Sequence, residues 1–261
     1  MTLLKINKLT KSFGGLTAVS NVNMDIDKGE LVGLIGPNGA GKTTVFNLLT
    51  GVYRPTHGTI LLNTGSEEVA LQGSKPHKIC ARGVARTFQN IRLFKELTVL
   101  DNVRIAIHQN VDYGLLAGFL HLPKYKREEE TLIEKSMELL KIFNLADKRD
   151  ELARNLPYGE QRHLEIARAL ATEPKLLLLD EPAAGMNPAE TTQLAGIIRK
   201  IQDLFGLTIL LIEHDMSLVM KICERIYVLD FGMVIAKGRP DEIRKDKQVI
   251  KAYLGEGVVD A

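Results

Sequence analysis

The segment 36–43, Gly-Pro-Asn-Gly-Ala-Gly-Lys-Thr, has the residue types and spacing best suited to chemistry. It follows an apolar run at 31–35 and leads into a helical pattern at 44–49. Strand, glycine-rich loop and helix in this order are typical of a phosphate-binding loop. Glycines let backbone N–H groups turn toward an anion, and the helix adds the positive end of its dipole. The residues expected to contact the nucleotide are Gly36, Pro37, Asn38, Gly39, Ala40, Gly41, Lys42, Thr43 and Thr44.

Two side chains of this loop have distinct expected roles. Lys42 would reach the β- and γ-phosphates of a nucleoside triphosphate, and the Thr43 hydroxyl would ligate Mg²⁺. The alternative is that the glycines only form a tight turn. The sequence therefore predicts a site for a nucleoside triphosphate.

A second group of polar residues follows two other apolar runs. Asp180 and Glu181 come after the four leucines at 176–179, and His214 follows the run at 207–212. The sheets of α/β proteins bind ligands where their strands end. Asp180 could hold Mg²⁺ through a water, Glu181 could orient the attacking water, and His214 could hydrogen-bond the γ-phosphate. The alternatives are a strand cap and a structural histidine.

Composition bounds the class of protein. The 261 residues include 34 Lys plus Arg and 32 Asp plus Glu, and this net charge of +2 gives no argument for nucleic acid binding. Cys80 and Cys223 have no metal or redox spacing, so we expect no disulfide. The first residues lack the apolar core of a signal peptide, and no apolar stretch is long enough to span a membrane. We expect a soluble chain that meets the membrane through a partner.

The elements that must position these residues form an α/β pattern with a helical insertion. Residues 1–35 are β-rich, 64–74 is predicted as a surface loop, and 75–82 as a basic helix. Between 95 and 155 the β-branched runs disappear and amphipathic helices indicate a helical subdomain. Its apolar stretch 113–120 would be either a core helix or a docking surface for a membrane protein.

The last third of the chain continues the alternation of strands and helices. Strands are predicted at 176–179 and 207–212, with a helix after each. Two short apolar runs flank Asp230-Phe231-Gly232, which is a hairpin signal. The tail 240–254 has a helical pattern.

The motifs, in their order, resemble the nucleotide-binding subunit of ATP-binding cassette (ABC) transporters over roughly residues 3–240. Within that family the chain most resembles the ATPases of bacterial branched-chain amino acid importers. Five motifs carry the resemblance to the ABC family: the phosphate loop, Gln89 after a strand, Leu156 to Arg162 before a helix, Leu179-Asp180-Glu181-Pro182 and Glu213-His214-Asp215. The narrower resemblance to the branched-chain amino acid importers depends on the segments 158–162, 181–188, 212–216, 113–122 and 250–255.

The resemblance implies an α/β fold: a P-loop NTPase (RecA-like) core with an N-terminal antiparallel β-subdomain and an inserted α-helical subdomain. The expected nucleotide-binding core with its β-subdomain comprises 1–88 and 166–240. The helical subdomain would comprise 89–165, and 241–261 would form a C-terminal helix and tail.

Further roles follow from the resemblance alone. Phe13 would stack on adenine, with a core phenylalanine as the alternative, and Gln89 would contact Mg²⁺ and sense the permease. Tyr158, Gly159 and Glu160 would close over the γ-phosphate bound by a second ATPase subunit. Two-fold symmetry would then build two composite sites.

The segment 156–162, which we call the closing loop, differs from the family pattern. The family usually has Ser-Gly-Gly after the first Leu, whereas this chain has Pro157-Tyr158-Gly159. A hydroxyl and a backbone N–H are missing, so γ-phosphate capping would depend on Gly159, Glu160 and the helix dipole. The segment 184–187 would lie between the two subunits.

The resemblance implies an ATPase, with ATP and Mg²⁺, that energises uptake of branched-chain amino acids. Its partners would be membrane permease subunits, a second ATPase subunit, identical or related, and indirectly a substrate-binding protein. It would be cytoplasmic and peripheral on the inner face of the cell membrane. The alternatives are an ATPase of lipopolysaccharide export and a soluble ABC ATPase of DNA repair or translation.

Overall fold

The computed structural model describes residues 1–65, 67–107 and 123–254, and for 123–127 and 254 it describes the backbone alone. The apolar stretch 113–120 therefore lies outside the described residues. The chain divides into two compact units, one made of Met1–Arg86 and the chain from Lys175 onward, the other of Thr87–Pro174. The strands are β1 (Thr2–Phe13), β2 (Leu16–Asp27), β3 (Leu31–Ile35), β4 (His57–Asn63), β5 (Glu68–Ala70), β6 (Val84–Arg86), β7 (Leu176–Asp180), β8 (Thr208–Ile212), β9 (Arg225–Asp230) and β10 (Met233–Gly238).

The first unit contains two sheets. One is antiparallel with the order β2-β1-β4-β5, and this confirms the predicted N-terminal β-subdomain. The other has the order β10-β9-β3-β8-β7-β6, and its pairs from β9 to β6 are parallel. Every residue of β3, β7 and β8 is buried, as expected of a parallel sheet covered on both faces.

The register of the parallel sheet aligns the ends of its central strands. Ile212 of β8 pairs with Asp180 of β7 on one side and with Leu34 of β3 on the other. The phosphate loop follows β3 directly, so it leaves the sheet at the same edge as the residues that follow Asp180 and Ile212.

The predicted helices are present, with different bounds. The basic helix predicted at 75–82 spans Pro76–Ala81, and the tail 240–254 is two short helices, Pro240–Ile243 and Lys247–Leu254, separated by three residues. The described helices are α1 (Lys42–Leu49), α2 (Pro76–Ala81), α3 (Val99–Ile107), α4 (Pro123–Ile142), α5 (Tyr158–Leu170), α6 (Pro188–Phe205), α7 (Met216–Ile222), α8 (Pro240–Ile243) and α9 (Lys247–Leu254).

One part of the predicted loop 64–74 is wrong. Residues Glu68–Ala70 form strand β5, which pairs with Leu61–Asn63 of β4. The strand is too short and too exposed to show an apolar alternation, because only one of its three side chains is half-buried. Strand β5 forms because its backbone pairs with β4 at the edge of the sheet.

The second unit is helical, as predicted. Within it α3, α4 and α5 pack around buried side chains such as Val103, Leu140 and Leu164. Two single 3₁₀ turns, Ala146–Lys148 and Ala153–Asn155, connect α4 to α5. In the part of the chain that the structure describes, no helix is both long and apolar enough to cross a bilayer.

The two cysteines differ in reactivity for a physical reason. Burial raises the pKa of the Cys223 thiol to about 12, whereas Cys80 is half-buried, and the two are not joined in a disulfide. Since the thiolate is the nucleophile, iodoacetamide at pH 8 should label Cys80 and spare Cys223 in the folded protein. Peptide mass spectrometry before and after denaturation measures this, with Cys80→Ser as control. Labelling of Cys223 at the denatured rate in the folded protein would show that its burial is wrong.

Candidate nucleotide-binding site

The phosphate loop takes a shape that only glycine tolerates at two positions. Gly36 and Gly41 have φ angles of +149° and +103°. A Cβ on Gly36 would lie 2.0 Å from the carbonyl oxygen of Leu229, and one on Gly41 would lie 2.5 Å from that of Ala18. Because both neighbours are backbone atoms, any side chain would displace the loop from the sheet.

Lys42 is the first residue of α1 and lies buried inside the loop. Its Nζ donates hydrogen bonds to the carbonyl oxygens of Gly36 at 2.7 Å and Pro37 at 3.0 Å. Burial lowers the pKa of Lys42, and the nearby charges of Glu181 and Asp180 act in the opposite direction. The loop thus holds a cation close to two carboxylates at the N-terminal end of a helix, where an anion is favoured.

Asp180 ends β7 and is held by a partner that sequence reasoning missed. Its Oδ2 accepts a hydrogen bond from Nη2 of Arg86 at 2.7 Å, and both side chains are buried. Arg86 also donates to Asn47 Oδ1 at 2.7 Å and Thr50 Oγ1 at 3.3 Å. This ion pair fixes the carboxylate relative to α1, and the only sequence signal is an arginine at the end of a predicted strand.

Glu181 and His214 are brought together, one from each of two neighbouring strand ends. Nε2 of His214 lies 2.8 Å from Oε1 of Glu181. Glu181 has a φ of +47°, and its N–H donates to the carbonyl of Ile212 at 2.9 Å. A residue other than glycine is strained in this left-handed backbone conformation, and such strain concentrates at functional sites. The sheet therefore aims this carboxylate at a fixed position beside the imidazole.

Sequence reasoning identified Glu213 only as part of the motif Glu213-His214-Asp215, without a role of its own. Its buried carboxylate accepts hydrogen bonds from the N–H of Ala183 at 2.6 Å and of His214 at 2.9 Å. Burial raises the pKa of Glu213, and these backbone donors act against that rise. Glu213 thereby ties together the loops after β7 and β8. A carboxylate directly after a wholly apolar strand is the signal that could have found it.

Two other predicted positions lie in the first unit. Phe13 ends β1 with 41% of its surface exposed, edge-on to Tyr53 at a centroid distance of 5.1 Å and with Lys11 Nζ 4.8 Å from its ring centre. Its stacking on adenine stays a prediction. In the segment 184–187, Asn187 caps α6 through its side chain, which accepts from two backbone N–H groups.

The remaining predicted residues belong to the second unit. Tyr158 and Gly159 open α5 after Pro157, which makes no side-chain cap. Glu160 accepts from Lys148 Nζ at 2.6 and 2.7 Å, so its carboxylate already has a cationic partner. Gln89 is exposed, in the segment that begins this unit. Their roles at the γ-phosphate stay predictions.

The donors predicted for Mg²⁺ are Thr43, Asp180 and Gln89. All three offer hard oxygen atoms, and Mg²⁺ is usually held by one or two carboxylates together with waters and substrate phosphates. In the described ranges no group of three or more His, Cys, Asp or Glu could hold a metal by itself. Such a sparse donor set fits an ion that is shared with a nucleotide.

A glycine-rich loop before a helix, beside a strand that ends in an acidic pair, defines a P-loop nucleotide-binding protein. The ABC transporter family pattern matches residues 19–184, and the chain belongs to this family. The pattern of the branched-chain amino acid ATP-binding cassette transporters matches residues 233–259. The resemblance read from the sequence is therefore confirmed, as is the predicted fold class.

Individual relatives give the same family. The chain is 49% identical over 254 residues to the high-affinity branched-chain amino acid transport ATP-binding protein LivG of Escherichia coli K12, covering 97% of this chain and 98% of that protein. It is 36% identical over 256 residues to the lipopolysaccharide export system ATP-binding protein LptB of Haemophilus influenzae, covering 98% of each.

The fold also matches solved structures. The crystal structure of the ADP conformation of MJ1267, an ATP-binding cassette of an ABC transporter, superposes with a TM-score of 0.83 at 31% identity. The match covers 98% of this chain and all of that one. The P-loop core with its β-subdomain and inserted helices is thus that of an ABC ATPase.

Replacement of Lys42 tests the phosphate loop. Lys42→Ala removes a cation that would bond to phosphate oxygens, so affinity for ATP should fall about a hundredfold, the equivalent of one or two charged hydrogen bonds. Isothermal titration of the full chain with ATP measures this. The matched control is Lys5→Ala, an exposed lysine of β1. Equal ATP affinity in both variants would contradict the assignment.

Proposed function

We propose that this chain is the ATP-hydrolysing subunit of an importer of branched-chain amino acids. The observation that supports it most is the edge of the parallel sheet, where Lys42 faces Asp180 and Glu181, and Glu181 contacts His214. The cargo is inferred from the similarity to LivG, which is named as a branched-chain amino acid transport protein.

The geometry supports one step in hydrolysis for each residue. The loop N–H groups and Lys42 hold the β- and γ-phosphates. Glu181 accepts a hydrogen bond from a water in line with the γ-phosphorus, and His214 keeps this carboxylate in place. The water oxygen forms the new bond to the γ-phosphorus and gives its proton to Glu181, while the bond from the γ-phosphorus to the bridging oxygen breaks and ADP leaves. Thr43, Asp180 and Gln89 would hold Mg²⁺, which when bound would supply positive charge to the phosphate oxygens.

The site becomes complete when two ATPase subunits pair. Tyr158, Gly159 and Glu160 of one subunit close over the γ-phosphate of the other, and 184–187 lies between them. Pairing is favoured only when ATP is bound, so ATP binding and hydrolysis shift the equilibrium between closed and open pairs. That shift between closed and open pairs moves the attached permease subunits and so drives transport. The second ATPase is an identical or a related chain, and a substrate-binding protein delivers the cargo outside.

The chain works at the cytoplasmic face of the cell membrane, attached to its permease. The name of LptB supports the alternative cargo, lipopolysaccharide, at a lower identity of 36%. The match of residues 233–259 to the branched-chain amino acid pattern favours the importer. Purification of the complex from native membranes, with mass spectrometry of every subunit, separates the two. A substrate-binding protein and two permeases support the importer, whereas a lipid export set would contradict it.

Glu181→Gln tests the hydrolytic step. The amide cannot accept the proton that the carboxylate accepts, so turnover should fall by about 10²- to 10⁴-fold. ATP binding should stay unchanged, because phosphate loop and Lys42 are intact. Phosphate release and ATP titration measure the two quantities, with the exposed Glu68→Gln of β5 as control. Hydrolysis at the wild-type rate would remove Glu181 from the mechanism.

A further inference from the structure

The helical unit contains a fully buried ion pair that the mechanism above does not use. Arg162 and Glu165, three residues apart on α5, have side chains only 0% and 2% exposed, and their Nη1 and Oε2 atoms lie 2.8 Å apart. Charged residues are almost never buried so completely unless they are paired. Apolar residues of similar volume often stabilise a fold as well as a buried pair does, so stability alone does not explain these charges.

The pair is bonded to the main chain around Gln89. The two Nη atoms of Arg162 donate to the carbonyl oxygens of Phe88 at 2.6 Å and Gln89 at 2.7 Å. Oε1 of Glu165 accepts from the N–H groups of Phe88 at 3.4 Å and Arg92 at 3.1 Å. One ion pair thus fixes the segment 88–92 by four hydrogen bonds. A planar guanidinium suits this task because its donors are held in a rigid fork.

Arg162 also contacts Tyr158, one of the residues at which the closing loop differs from the family pattern. Nη2 of Arg162 lies 3.3 Å from the hydroxyl of Tyr158, and the guanidinium carbon lies 6.0 Å from the centre of that ring. The same nitrogen therefore faces the carbonyl of Gln89 and the phenol of Tyr158. A movement of either segment changes the hydrogen bonds of the other.

We propose that Arg162, locked by Glu165, is a positioning residue for Gln89 and couples Gln89 to the closing loop at Tyr158. Arg162 is fully buried against the main chain of 88–89, so it acts through Gln89. It sets the backbone from which the Gln89 side chain extends, and so sets where the amide oxygen can reach. The inference rests on the proposed role of Gln89 and deepens it.

Arg162→Lys tests this coupling. Lysine keeps the positive charge, but its single nitrogen cannot reproduce the fork in which two nitrogens of Arg162 bond to the two carbonyls and to Glu165. In the purified transporter complex, kcat should fall about tenfold, as expected for the loss of one charged hydrogen bond, and KM for ATP should change less than about twofold. The Mg²⁺ concentration for half-maximal hydrolysis should rise. The N–H groups of Phe88 and Arg92 should exchange hydrogen faster with solvent.

A double-mutant cycle separates positioning from simple structural support. In a Gln89→Ala background, Arg162→Lys should reduce kcat by less than about twofold, because the side chain that it positions is gone. Equal losses in both backgrounds would overturn the proposal. Arg154→Lys is the matched control, since Arg154 pairs with Glu96 on the surface of the same unit with both side chains at least half exposed.

A second variant keeps the test valid if Arg162→Lys does not fold. Glu165→Gln keeps the shape of the pair but removes the charge that locks Arg162, so kcat should fall with KM unchanged at a temperature where circular dichroism shows the native fold. The melting temperature should also fall, because the buried guanidinium loses its counter-charge. Wild-type kcat in both variants overturns this inference alone. Absence of ATP hydrolysis by the wild-type complex would instead overturn the proposed function.

Discussion

The register of the parallel sheet is the constraint on which the rest of the site depends. Because Ile212 pairs with both Asp180 and Leu34, β3, β7 and β8 end at one level. A slip of one residue would turn every side chain to the opposite face of the sheet. Asp180 would then leave its place beside Arg86. The continuous burial of the three strands forms the elements, and the register brings the phosphate loop and Glu181 to one edge.

This edge concentrates features that cost stability. It contains a buried lysine, a buried aspartate and a glutamate in the left-handed region, which alone costs on the order of 1–3 kcal/mol. The surrounding structure offsets these costs with specific bonds: Arg86 to Asp180, the Ile212 carbonyl to the Glu181 N–H, and Glu213 to three backbone N–H groups. A site organised in this way can stabilise developing charge without rearranging, which is how most electrostatic catalysis works.

Local patterns made much of this fold predictable. Glycine spacing marked the phosphate loop, four consecutive leucines marked β7, and the Asp-Phe-Gly turn marked the β9–β10 hairpin. The contacts that could not be predicted join residues that are far apart in the chain. Arg86 and Asp180 are separated by 94 positions, and Arg162 and Phe88 by 74, so neither pair leaves a periodicity in the sequence. Strand β5 was missed for a similar reason, because pairing with β4 rather than its own composition forms it.

We propose that one ATPase subunit binds ATP at this edge and that a second subunit completes the site. The most direct test is the rate of phosphate release per chain, measured over a wide range of protein concentrations and again after titration with the second ATPase of the purified complex. The account predicts a rate per chain that is low in dilute solution, rises with concentration or with added partner, and then reaches a plateau. A full rate per chain that is independent of both would contradict it.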